Sequence, residues 1–185
     1  MIAPVVIVCG SPGAGKTTLA RRLGRDLGVV VFSKDDIKEP LFDALGVGDR
    51  EWSRRLGTAS YAILYAVASH VLEAGVGVLL ESNFGPASLD PLRALCARRR
   101  AVIVHCDAAP ALLARRCADR AAGGSGRHPG HADAAIVDEI AAAHAAGTFE
   151  PPPIGVPVIR VRTDDGYDPS YDDVLAIARD RLSPL

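Results

Sequence analysis

Aromatic residues make up only 5% of this 185-residue chain, with one tryptophan and one methionine. The core must therefore be aliphatic, which suits close-packed helices laid on a buried sheet. Charge of one sign is also missing: the formal net charge is -1 and the pI about 6.5, so no global basic field holds a polyanion by counterion release. Cysteine is scarce. Cys9, Cys96, Cys106 and Cys117 lie far apart, with Cys9 and Cys106 inside apolar runs, as expected of reduced, packed thiols in a cytoplasmic protein. The first residues carry no basic segment, and Ile2–Val8 is an apolar run of strand length only, so neither a signal peptide nor a membrane span is expected. Internal repeats and a linker are missing too, and one domain over residues 1–185 is the expectation. No N-K-x-D stretch reads guanine, and no Cys or acid stands at zinc-site spacing around His128-Pro129-Gly130-His131.

What is present is an alternation of short apolar runs and helical periods. Pro4–Cys9, Val29–Phe32, Val76–Leu80, Ala101–His105 and Val156–Val161 read as strands, the last despite Pro157, which is easiest to place at its start. Leu19, Leu23 and Leu27 share one face of a helix that Gly28 ends. Further helices are expected over about 51–74, 88–98, 110–121, 133–145 and 171–182. Parallel pairs need crossovers, so the pattern predicts an α/β fold with a five-stranded, doubly wound parallel sheet between helices.

Gly10-Ser11-Pro12-Gly13-Ala14-Gly15-Lys16-Thr17 satisfies G-x-x-x-x-G-K-[ST] at every fixed position. Glycines at 10, 13 and 15 let the backbone curl with its N–H groups inward, and the helix that follows adds its positive end. Lys16 supplies a point charge for the β- and γ-phosphates, and the Thr17 hydroxyl is placed to ligate Mg²⁺. The predicted ligand is ATP with magnesium, and Thr18 completes the binding segment.

Phosphoryl transfer needs an aligned acceptor, a base and positive charge on the moving group. Asp35 and Asp36 follow the second strand, where loops of an open α/β sheet meet the ligand crevice. One can take the acceptor proton while the other contacts magnesium; equally, both can serve as helix-start acids. Lys38 is a candidate to hold an acceptor group, as are Glu81 and Asn83 at the end of the third strand, Glu81 standing where a Walker-B acid is expected. Arg116 and Arg120 share a helix face leading into the Gly-rich stretch 122–131 with Arg127, which reads as a lid over about 121–131. The histidines of that stretch suit contacts to phosphate or substrate better than a metal pair.

The blocks GSPGAGKTT at 10–18, SKDDIKE at 33–39, ESNF at 81–84, and RRCADR with GRHPGH between 115 and 131 resemble those of small P-loop kinases that include chloramphenicol phosphotransferase, the zeta toxins and the kinase domain of phage polynucleotide kinase. The resemblance implies a three-layer P-loop kinase fold, Asp35 as general base, Lys38 at the basic position, and Arg116, Arg120 and Arg127 as lid arginines. It also implies adenine packed near Arg162 and Thr163. The leading expectation is a kinase that moves the γ-phosphate of ATP to a hydroxyl of a small molecule such as a nucleoside, antibiotic or sugar derivative. A polynucleotide 5′-hydroxyl kinase and a nucleotide switch are the rivals; the first would need a basic channel that the charge does not advertise, the second a conformational product.

Overall fold

The computed structural model describes residues 2–122, 128, 130, 142–144 and 146–183. Arg127, His131, most of the expected lid and most of the helix expected over 133–145 lie outside the described residues. Five strands, β1 (Val5–Gly10), β2 (Val30–Ser33), β3 (Val78–Glu81), β4 (Ala101–Asp107) and β5 (Val158–Arg162), form one sheet in the order β2-β3-β1-β4-β5. Every pairing is parallel. The helices are α1 (Lys16–Leu27), α2 (Lys34–Leu45), α3 (Arg50–Glu73), α4 (Leu89–Cys96), α5 (Pro110–Ala121) and α6 (Tyr171–Leu182).

β1 is buried at all six positions, which is why its sequence shows no polar alternation. Its side chains still divide by face. Val6 and Val8 join Leu19, Leu23, Leu113 and Val174 in one core, whereas Val5, Ile7 and Cys9 join Leu64, Leu72 and Leu92 in the other. Helices therefore cover both faces, the three-layer arrangement expected from the sequence.

Boundaries moved where backbone chemistry required it. β5 starts at Val158, one residue after Pro157; the proline has no N–H to give to a ladder, but its carbonyl accepts from the Ile103 N–H at 2.8 Å. β3 starts two residues later than expected and ends one later, because Val78 N–H is the group that reaches the Pro4 carbonyl, at 3.0 Å. α3 begins under an Asp49 cap whose carboxylate accepts from the Trp52 N–H at 2.8 Å. The helix expected over 88–98 is a 3₁₀ turn at Pro86–Ser88 followed by α4, which stops before Arg98, a residue with a left-handed φ of 59°.

Because all strands point one way, Gly10, Ser33, Glu81, Asp107 and Arg162 finish at the same edge of the sheet. β1 stands in the middle, with β3 and β2 on one side and β4 and β5 on the other. This is where an open α/β sheet forms its ligand crevice.

Candidate active site

The loop between β1 and α1 is a tight nest. Gly10 has φ 131° and pairs with Cys106 of β4, whose carbonyl a Cβ on residue 10 would overlap. Gly15 caps α1 in the left-handed region at φ 71°. Between them the Ala14 N–H bonds to the Ser11 carbonyl at 3.2 Å, and Ser11 and Ala14 are buried. Lys16 folds back to donate to the Ser11 carbonyl at 2.9 Å, so its ammonium sits over the curl it is expected to complement. Thr17 and Thr18 are exposed on the first turn of α1.

Glu81 is turned toward this loop. It is 5% exposed, and its Oε2 accepts from the Thr17 hydroxyl at 3.3 Å and from the Ser33 hydroxyl at 2.7 Å. Asn83, two residues on, is exposed at the strand end. A hydroxyl that gives its proton to a carboxylate keeps its lone pairs for a cation. Thr17 with Glu81 behind it is therefore a hard-oxygen site of the kind that suits Mg²⁺, an ion usually held by one or two protein oxygens plus phosphates and water. Among the described residues no group of three or more His, Cys, Asp or Glu gathers for a metal.

Asp35 and Asp36 both occupy the first turn of α2, so the helix-start reading and a site role coexist. They face different partners. Asp35 Oδ1 lies 3.1 Å from Lys34 Nζ, whereas Asp36 pairs with Arg21 of α1 at 3.1 Å on the exposed surface. Lys38 is buried, donates to Ser53 Oγ of α3 at 2.7 Å and stands 5.0 Å from the centroid of the Phe42 ring. Tyr61 of α3 closes this side: its hydroxyl is 2.8 Å from Ser82 Oγ, and Lys34 Nζ lies 6.0 Å from its ring centroid. Burial pushes the Tyr61 hydroxyl up to about 12 against the lowering effect of the Ser82 hydrogen bond, so the phenol stays protonated at neutral pH.

The arginines separate. Arg116 donates to the Gly13 carbonyl at 3.2 Å and to the Thr163 carbonyl at 2.7 Å; it holds the loop frame. Arg120 donates to Cys117 Sγ at 3.1 Å, and Cys117 underlies Gly13. Thr163 is buried, with its hydroxyl directed to the Ala14 carbonyl at 3.2 Å. Arg162 is exposed and pairs with Asp164 at 2.7 Å and Asp107 at 3.2 Å. The Ala109 N–H, 2.6 Å from Asp164 Oδ1, together with Arg162 holds that carboxyl below the usual range. His128 stacks on Phe42 at 5.2 Å and places Nε2 3.1 Å from Asp43, so its ring meets α2 rather than the phosphate loop.

Sequence reasoning missed Ser33, Arg21, Ser53 and Tyr61. Only Ser33 carried a signal, as a serine directly before a helix at a strand end; the other three are brought in by packing between elements.

A model of the AAA domain family AAA_33 matches residues 5–147. A candidate kinase from Chloroflexus aurantiacus, known from its crystal structure, superposes with a TM-score of 0.84 at 33% identity, over 99% of this chain and 100% of that one. An uncharacterised protein of Mycobacterium tuberculosis is 35% identical over 156 residues, 77% of this chain and 29% of its own length, so the chain spans less than a third of the curated relatives it matches there. A shikimate kinase from Corynebacterium efficiens is 38% identical over 74 residues, 40% of this chain and 41% of that one. With the family match running from β1 past α5, on a five-stranded parallel sheet with a P-loop after its central strand, the chain belongs to the AAA_33 family and has the fold of the small P-loop kinases.

Proposed function

We propose that this protein is an ATP-dependent phosphotransferase that transfers the γ-phosphoryl group to a hydroxyl of a small molecule. The observation that carries this reading is the common edge on which the phosphate loop, the Thr17–Glu81 pair and Asp35 meet. The kinase relatives support it by analogy, and the near-neutral charge favours a small acceptor over a polynucleotide.

In this reading the P-loop amides and Lys16 hold the β- and γ-phosphates, and Arg120, which rests against Cys117 Sγ on α5, is the lid arginine that joins them on the transferring group. Asp35 accepts the proton of the acceptor hydroxyl as its oxygen bonds to the γ-phosphorus; the bond from that phosphorus to the β–γ bridging oxygen breaks and ADP leaves. Magnesium would be held through the Thr17 hydroxyl, with Glu81 behind it, and would supply charge neutralisation on the phosphates. Glu81 thus serves the metal side of the site, and Lys38 and Asn83 remain on the acceptor side. Asp36, paired with Arg21, fixes α2 to α1.

A screen of nucleosides, aminoglycosides, phenicols and sugars with γ-labelled ATP tests the proposal. Label transferred to one acceptor class is the expected result. ADP formed at full rate with no acceptor, and no labelled product, would overturn it in favour of a nucleotide switch.

A further inference from the structure

Ser33 ends β2, Glu81 ends β3, and the parallel register sets them opposite each other. Both side chains are buried. Ser33 also occupies the N-cap position of α2, where a serine oxygen normally accepts from an N–H of the first turn; here it makes no such cap bond. Its hydroxyl instead donates to Glu81 Oε2 at 2.7 Å, the same oxygen that receives the Thr17 hydroxyl at 3.3 Å.

The two distances differ in a way that assigns the roles. The short bond fixes the carboxylate, and the long one leaves Thr17 room to move toward a cation without losing its proton acceptor. A carboxylate joined to its strand through a flexible side chain can rotate unless one oxygen is held, and Ser33 holds it from the neighbouring strand. We propose that Ser33 is a positioning residue for the cation subsite, acting through Glu81 to aim the Thr17 hydroxyl. This rests on the reading of the site as one that binds a nucleotide with magnesium.

The test is calorimetry on the full chain with a non-hydrolysable ATP analogue, in magnesium and in EDTA, for wild type, Ser33→Ala and Ser33→Thr. Partners one shell out from a metal site typically contribute about 10- to 100-fold in metal affinity. The gain in analogue affinity on adding magnesium is expected to shrink about 10-fold in Ser33→Ala, with binding in EDTA unchanged. Ser33→Thr, which keeps the hydroxyl, is expected to recover most of the gain. An unchanged magnesium gain in Ser33→Ala, or an equal loss in both media that marks a general structural defect, overturns the inference. Should Ser33→Ala lose its fold, as followed by circular dichroism, Ser33→Cys takes its place, being near in size but a weak donor. A wild-type protein with no magnesium gain at all would instead remove the underlying reading of the site.

Discussion

Arg116 and Thr163 stand 47 residues apart in the chain and are joined by a hydrogen bond of 2.7 Å from the guanidinium to the Thr163 carbonyl. The same side chain reaches the Gly13 carbonyl, and the Thr163 hydroxyl reaches the Ala14 carbonyl. The phosphate loop and the loop after the last strand are thus one hydrogen-bonded body. A change at residue 116 should disturb nucleotide binding and stability together.

Arg116→Ala is expected to cost about 2 kcal/mol, since charged hydrogen bonds contribute roughly 1.5–3 kcal/mol and the carbonyls are left without their donor. For a chain of this size that is a fall in Tm of roughly 4–8 °C, with a raised Kd for nucleotide. Arg116→Lys should not restore it, because one ammonium cannot span both carbonyls. Thermal melts beside nucleotide titrations check this. A variant with normal Tm and Kd but reduced kcat would place Arg116 on the transferring phosphoryl group instead.

Lys16 and Asp35 are expected to fail differently. Lys16→Ala removes the point charge over the loop and should weaken nucleotide binding as well as turnover. Asp35→Asn keeps the shape of the first turn of α2 but cannot accept a proton, so nucleotide binding should persist while transfer falls by about 10²- to 10⁴-fold. Label transfer from γ-labelled ATP, with separate measurement of nucleotide affinity, distinguishes them. Full transfer by Asp35→Asn would reject Asp35 as the base.

The phosphate loop and the five strands were legible in the sequence because both are local signals: a motif of fixed spacing, and apolar runs that need no partner to be recognised. α2 was legible only at its start, since the helix runs through Pro40, a residue that normally signals a break, and its charged residues blur any apolar face. The turn of Glu81 toward Thr17 and Ser33 depended on strand order, as residues 33 and 81 become neighbours only when β3 lies beside β2. Arg116 and Arg120 share a helix face, as their spacing indicates. Their partners differ because α5 crosses the loop with Arg116 level with Gly13 and Thr163, while Arg120 turns back onto Cys117. That crossing is a property of packing, not of periodicity.

Gly10→Ala tests the register at the centre of the sheet. A Cβ at this position would overlap the Cys106 carbonyl, and β1 and β4 are paired continuously from Val5 and Ala101 up to that point. The backbone also sits at φ 131°. Strain of this kind costs about 1–3 kcal/mol before any clash is counted, so the variant should unfold at markedly lower urea or be recovered mostly as aggregate. Wild-type stability with intact nucleotide binding would show that the β1–β4 contact yields more easily than its geometry indicates.

The buried ionisable groups set a stability plateau whose two limits have opposite causes. Burial lowers the affinity of His105 for its proton from the ordinary value of 6.5, so the folded state prefers the neutral ring. Below about pH 6.5 the unfolded chain takes up that proton first and stability falls. On the alkaline side, burial pushes the thiols of Cys9 and Cys106 up to about 12 from the ordinary 9.0. A raised folded pKa protects fully below the unfolded value and is lost as the pH climbs through the interval from 9 to 12. Each thiol should then subtract about 1 kcal/mol per pH unit above 9. Melting curves from pH 5.5 to 10.5 are expected to show a plateau between about 6.5 and 9 with a decline on each side, and the Cys9→Ala, Cys106→Ala double variant should flatten the alkaline decline alone. An alkaline decline of the same steepness in the double variant would assign it elsewhere, with Cys96, raised by burial to about 11, and then Tyr61 the next groups.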